Sequence, residues 1–200
     1  GMLYASHAEN PGIAAVATPA GVPIEASQAY RAELFCRDHD VDLVVIGPEA
    51  PLAAGLADAL RAKGVAVFGP GKDGAQLEAD KQWAKDLMRG AAVPTADSKS
   101  FTDAEQAVQY ALSRHEPPVI KATGLAAGKG VVVPATHQEA AKAIRWMLND
   151  KAFGSASARV LVEERLSGPE VSVFALTDGK GVYILDACQD HKRLLDGDEG

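Results

Sequence analysis

Apolar residues fall along this chain in two textures. Up to Pro70 they come as short unbroken runs: IAAVAT (13–18), VDLVVIG (41–47) and VAVFG (65–69), two of them closed by Gly and the first by the breakers PAG. Such runs predict strands buried on both faces. Between them, SQAYRAELFCRDHD (27–40) spaces Ala29, Ala32, Leu34, Phe35 and Cys36 at helical intervals, with Ser27 as the expected N-cap. PLAAGLADALRAKG (51–64) puts Leu52, Leu56, Ala59 and Leu60 on one helical face and ends at Gly64. Strands alternating with helices predict a parallel, doubly wound sheet. MLYASHAE at the front reads as the tail of a helix. A doubly wound sheet usually opens on a strand with a glycine-rich turn, so this one is expected to be partial, with the chain starting in mid-fold.

Beyond Pro70 the pattern becomes amphipathic and mixed. DGAQLEADKQWAKDLMRGA (73–91) predicts one charged helix with Leu77, Trp83, Ala84 and Leu87 as its stripe, and DAEQAVQYALSRH (103–115) a second, capped by Thr102. VIKAT, GLAAGKG and VVVP read as strand, turn and partner strand. QEAAKAIRWMLND (138–150) is helical, with Ala141, Ile144, Trp146 and Leu148 apolar. RVLVEERL (159–166), VSVFALTDG (171–179) and GVYILDAC (181–188) predict strands, the last two joined by the hairpin turn DGKG. The expected class is α/β followed by α+β.

Composition narrows the partners. The formal net charge of −7 argues against unspecific affinity for nucleic acid or an anionic membrane, so any polyanion must be gripped locally. No apolar run approaches the ~20 residues needed to span a bilayer, and no signal peptide is visible. Cys36 and Cys188 lie far apart beside apolar runs, which reads as unpaired thiols in a reducing cytoplasm.

The candidate chemistry lies in VIKATGLAAGKGV (119–131). A loop of Gly and Ala lets backbone N–H groups approach an anion closely, and Lys121 and Lys129 add point charges for phosphate oxygens. It is neither a Walker A loop nor a dinucleotide fingerprint, since it joins strand to strand and lacks both spacings. LVEERLSGPEVSV (161–173) adds Glu163, Glu164 and Glu170, acceptors suited to the amine and diol donors of a nucleoside.

Together these two segments resemble the nucleotide site of the ATP-grasp ligases. With VVIGPEAPLAAGL (44–56), VFGPGKDGAQLEADKQWAKDLM (67–88), AFG (152–154) and QDHKR (189–193), the chain resembles the phosphoribosylamine–glycine ligase family within them. The resemblance implies an N-terminal substrate-binding α/β domain, here partial, over 1–72. Linker helices and the start of the ATP-grasp region follow over 73–118, the ATP-grasp lid over 119–160 and an incomplete ATP-grasp core subdomain over 161–200. It assigns ATP contacts to Lys81, Lys121, Gly124, Gly128, Lys129, Gly130, Glu163, Glu164, Leu166 and Glu170. It assigns substrate contacts to Gly47, Pro48, Glu49 and Pro51, and to Asp190, His191, Lys192 and Arg193.

The implied reaction is ATP-dependent joining of glycine to 5-phosphoribosylamine in purine synthesis, through a glycyl phosphate, in the cytoplasm. No catalytic side chain is assigned, and none is required where orientation and charge neutralisation do the work. The family holds Mg²⁺ (or Mn²⁺) with a carboxylate and an asparagine that have no counterpart here, so no metal ligand is assigned within the chain. The resemblance therefore implies a ligase parent, with this stretch by itself expected to be inactive and to self-associate through its exposed sheet edge. The alternatives are a non-catalytic nucleotide-binding or interaction module derived from the ligase, or another ATP-grasp carboxylate–amine ligase.

Overall fold

The computed structural model describes residues 1–7, 9–22, 25–189 and 195. It comprises two compact units, Gly1–Arg165 and Leu166–Gly200.

The first unit opens with short parallel pairs. β1 (Tyr4–Ala5) pairs with β2 (Thr18–Pro19), and β3 (Val44–Val45) with β4 (Val67–Phe68). Of the predicted strands, VDLVVIG and VAVFG pair in parallel as expected, through β3 and β4, but in a two-stranded piece separate from β1 and β2. Two expectations at the front are overturned. IAAVAT is not one strand: α1 (Pro11–Ala14) takes up its start, because the Asn10 side chain accepts the Gly12 and Ile13 N–H groups with Pro11 opening the helix. MLYASHAE is not a helix tail. Its Tyr4 extends as β1 and sets its ring edge-on to Phe35 at 5.2 Å.

α2 (Ala29–Asp38) follows a single 3₁₀ turn that includes Ser27, so Ser27 does not cap it. The helix expected over 51–64 is two, α3 (Glu49–Ala53) and α4 (Leu56–Arg61), broken at Gly55 with φ +90°. Only glycine takes that backbone without strain. Ile46, Leu52, Leu56, Ala57 and Leu60 bury a small core with Ala29 and Ala75.

The long helix expected over 73–91 is also two, α5 (Lys72–Ala79) and α6 (Lys81–Gly90). Asp80 leaves helical geometry and accepts hydrogen bonds from the Gln82 and Trp83 N–H groups, a cap that outweighs continuing the helix. Of the expected stripe Ala84 is buried, but Leu77 and Leu87 are exposed and Lys85 is buried. That exchange of a leucine for a lysine places the site.

The main sheet runs in the order β5–β8–β6–β7: β5 (Ser98–Phe101), β8 (Val160–Glu163), β6 (Val119–Ala122) and β7 (Val131–Val132), all antiparallel. SKSF gives no apolar run, and its strand is legible only through its pairing with β8. Because side chains alternate along a strand, Phe101, Ile120, Ala122, Val160 and Val162 share one face. They form the largest core with α7 (Ala104–Leu112) and α8 (His137–Leu148). Asp103, not Thr102, caps α7 by accepting the Gln106 N–H, and Thr136 caps α8. Of the stripe expected on α8, Ala141 and Ile144 are buried while Trp146 is exposed.

The other face carries Ser98, Lys121, Leu161 and Glu163. The second unit holds β9 (Val171–Ser172) paired with β12 (Cys188–Gln189), and the hairpin of β10 (Ala175–Thr177) and β11 (Val182–Ile184). Its turn is the expected DGKG: Asp178 accepts the Lys180 and Gly181 N–H groups, which hold its carboxyl below the ordinary value. Among the described residues no helix is long and apolar enough to cross a membrane.

Candidate functional site

The polar face of the main sheet gathers two lysines, Lys85 and Lys121, around Glu163, with Lys81 beside Lys121. Lys121 on β6 and Glu163 on β8 are diagonal neighbours, since Lys121 pairs with Leu161 and Val119 with Glu163. Lys121 Nζ donates to Glu163 Oε1 at 2.5 Å. From the other side, Lys85 Nζ lies 3.0 Å from Glu163 Oε2. Lys85 also donates to Thr95 Oγ1 (2.7 Å) and the Ala96 carbonyl (3.0 Å). Among the described residues Glu163 Oε2 has no aligned hydrogen-bond donor, and the Lys85 ammonium supplies its counter-charge.

Lys81 is the first residue of α6. Its N–H donates to the Thr123 carbonyl (2.9 Å) and its Nζ to the Gly124 carbonyl (3.3 Å), so the helix start is tied to the base of the Gly-Ala loop. Burial holds the Lys81 pKa below the ordinary lysine value, and the Lys121 ammonium adds to that depression while Glu78 and Asp80 oppose it. Two ammonium groups close enough to repel each other form a receptor for a polyanion. Lys81 and Lys85 stand one turn apart on α6, which brings both to the same face of the sheet.

The loop itself is a tight hairpin. Ala127 (φ +48°) and Gly128 (φ +75°) both take left-handed backbone, and the Lys129 N–H donates to the Ala126 carbonyl (2.9 Å) across them. That is the pattern of a primed turn. Gly124 and Gly130 are constrained by contact instead: a Cβ at Gly124 would lie 2.8 Å from Ala156 Cα, and one at Gly130 2.7 Å from Ala126 Cβ. Lys129 is exposed at the tip.

The remaining expected residues divide. Glu164 sits at the end of β8, where it exchanges backbone and side-chain hydrogen bonds with Asp97. Leu166 and Glu170 belong to the second unit. Gly47 and Pro48 lead from β3 into α3, which carries Glu49 and the buried Pro51. Asp190, His191, Lys192 and Arg193 lie outside the described residues. Pro48 and Pro51 line a cavity of about 540 Å³ with Tyr4, Phe35, Cys36 and Val45. No lysine lines it, unlike the polar face of the main sheet. Burial, with Glu33 nearby, raises the Cys36 thiol pKa.

Sequence reasoning missed Lys85. The signal was available in its spacing, one turn after Lys81 in DKQWAKDL, but a lysine reads as solvated until a buried carboxylate is seen opposite it.

Comparison with known proteins places the chain in a family. The family model of the phosphoribosylglycinamide synthetase N domain matches residues 2–78, and that of the ATP-grasp (A) domain of the same synthetase matches residues 79–200. A phosphoribosylamine–glycine ligase of Yersinia pestis is 45% identical over 96% of this chain and 45% of its own length. The trifunctional purine biosynthetic protein adenosine-3 of Drosophila melanogaster is 53% identical over 83% of this chain and 12% of its own. The crystal structure of a Thermotoga maritima phosphoribosylamine–glycine ligase superposes with a TM-score of 0.71 at 27% identity, covering 96% of this chain and 45% of that one. The chain thus spans less than half the length of these relatives.

Proposed function

From the premise that this chain belongs to the phosphoribosylglycinamide synthetase family, an ATP-grasp family, we propose that its lysine face holds ATP for the ligation of glycine to 5-phosphoribosylamine. One observation carries the reading: Lys81 and Lys121 converge beside a backbone loop, next to a buried carboxylate oxygen with no aligned donor. The ammonium groups suit the phosphates, and Gly124, Gly128, Lys129 and Gly130 supply the loop beside them. Membership of the family extends the proposed ATP contacts to Glu163, Glu164, Leu166 and Glu170. The same membership proposes phosphoribosylamine contacts for Gly47, Pro48, Glu49 and Pro51, and for Asp190, His191, Lys192 and Arg193.

In the reaction the γ-phosphoryl group passes from ATP to a carboxylate oxygen of glycine, and ADP departs. The amine nitrogen of phosphoribosylamine then attacks the carbonyl carbon, phosphate leaves with the C–O electron pair, and the nitrogen sheds a proton. The protein's share is orientation and stabilisation of charge on the moving phosphoryl group. A divalent ion would supply further neutralisation in such chemistry. The described residues hold no cluster of three or more side chains suited to bind one, so no step is assigned to it here.

Lys121→Ala is expected to weaken ATP binding by about 1.5–3 kcal/mol, the worth of a hydrogen bond to a charged group. Isothermal titration of ATP into this chain measures it, and an unchanged affinity would overturn the assignment. A pH series tests Lys81. Its folded pKa is lowered, so between that value and the ordinary lysine value the unfolded chain binds the extra proton and folded stability rises with pH. Binding runs the other way, because the phosphates need the ammonium. ATP affinity is expected to decline as pH climbs through the lowered pKa, with a flatter profile in Lys81→Met.

A further inference from the structure

We propose that Lys85 is a positioning residue for the nucleotide: acting through Glu163, it fixes where the Lys121 ammonium stands. The proposal deepens the nucleotide reading above and rests on it.

Lys85 is nearly as buried as any charged group in the chain, with its side chain 9% exposed, and so is the Glu163 side chain opposite it. A lysine in that state needs its charge matched and its donors used. The Thr95 hydroxyl and the Ala96 carbonyl use donors but match no charge. Glu163 matches the charge, and in doing so is held from behind while its other oxygen accepts from Lys121.

Lys121 is the more exposed partner, 26% against 9% for Glu163, and the residue next to the loop. A lysine on a strand has four flexible bonds and would sample many positions. Clamped to a carboxylate that cannot itself swing, it samples few. The triad of two cations and one anion also leaves a surplus positive charge on this face, within a chain of net charge −7. Glu163 therefore orders Lys121 without cancelling the field that a phosphate chain would meet. A polar bond from Lys121 to Glu163 without Lys85 would give order and lose that surplus.

The test is a double-mutant cycle with a second readout that needs no ligand. ATP affinity is measured by titration calorimetry for the unmodified chain, Lys85→Met, Lys121→Ala and the double variant. Lys85→Met is expected to lose about tenfold in affinity when Lys121 is present, and less than about twofold when Lys121 is already alanine, as coupled residues behave. In parallel, the ¹⁵N ammonium signal of Lys121 is followed by NMR in cold, mildly acidic buffer. It is expected to be visible in the unmodified chain and in the exposed-site control Glu116→Ala, and to vanish by solvent exchange in Lys85→Met.

Equal losses from Lys85→Met in both backgrounds, or a lower melting temperature with affinity intact, would overturn the proposal and leave Lys85 a structural ion. A Lys121 ammonium signal indifferent to Lys85 would overturn it as well. If the unmodified chain binds no ATP yet the signal still depends on Lys85, the nucleotide reading falls while the ordering of Lys121 stands.

Discussion

Glu163→Ala is expected to destabilise the first unit by about 3–5 kcal/mol, the cost of removing one partner from a buried ion pair. The magnitude follows from what is left behind. Lys85 would stay enclosed with no counter-charge, and Lys121 would lose its ion-pair partner on the sheet. Lys85 cannot reach solvent without giving up its bonds to Thr95 and Ala96, whereas Lys121 is already partly exposed. Urea denaturation of this chain measures the loss, with Glu164→Ala as the reference. Glu164 is one residue away but exposed, and its side chain accepts a single backbone N–H from Asp97, so about 1 kcal/mol is expected there. Equal losses from the two variants would show that Lys85 relaxes into water and that the buried cluster is not what holds this face. ATP affinity in Glu163→Ala should fall too, since Lys121 is held by that carboxylate.

The prominence of Glu163 in the sequence and its position in the structure illustrate what could be read in advance. The strand–loop–strand of 119–133 was legible because alternation, a Gly-Ala turn and a returning Val run all agree, and β6 and β7 pair as that pattern requires. The helices over 103–115 and 138–150 were legible for the same reason. Strand β5 was not, because SKSF owes its strand to pairing with β8, a contact more than sixty residues away along the chain.

Breaks inside helices were likewise hidden. Asp80 and Gly55 act through one residue's backbone, and a periodicity window averages over them. The site followed the same rule. Lys121 and the loop glycines carry their chemistry in local order, whereas Lys85 gains its role only when β8 brings Glu163 against α6. Glu163 itself was expected at the nucleoside end, and its ion pairs with Lys85 and Lys121 were not foreseen.

The division of the main sheet into two faces makes the second large effect separable from the first. Ile144→Ala is expected to cost about 2–5 kcal/mol, the range for deleting a large side chain from a core that collapses only partly. Ile144 is fully buried on α8, in the cluster with Ile120, Val160 and Val162. Each of those three alternates along its strand with a residue of the opposite face: Ile120 precedes Lys121, and Val162 precedes Glu163. A cavity beneath the apolar face therefore removes packing without touching an ammonium or a carboxylate. ATP affinity, measured well below the midpoint of unfolding, should stay within about twofold of the unmodified chain, as expected for sites without shared partners. A tenfold loss in Ile144→Ala would mean that the two faces are coupled through the strands, and that the geometry of the lysines depends on how tightly α8 is packed.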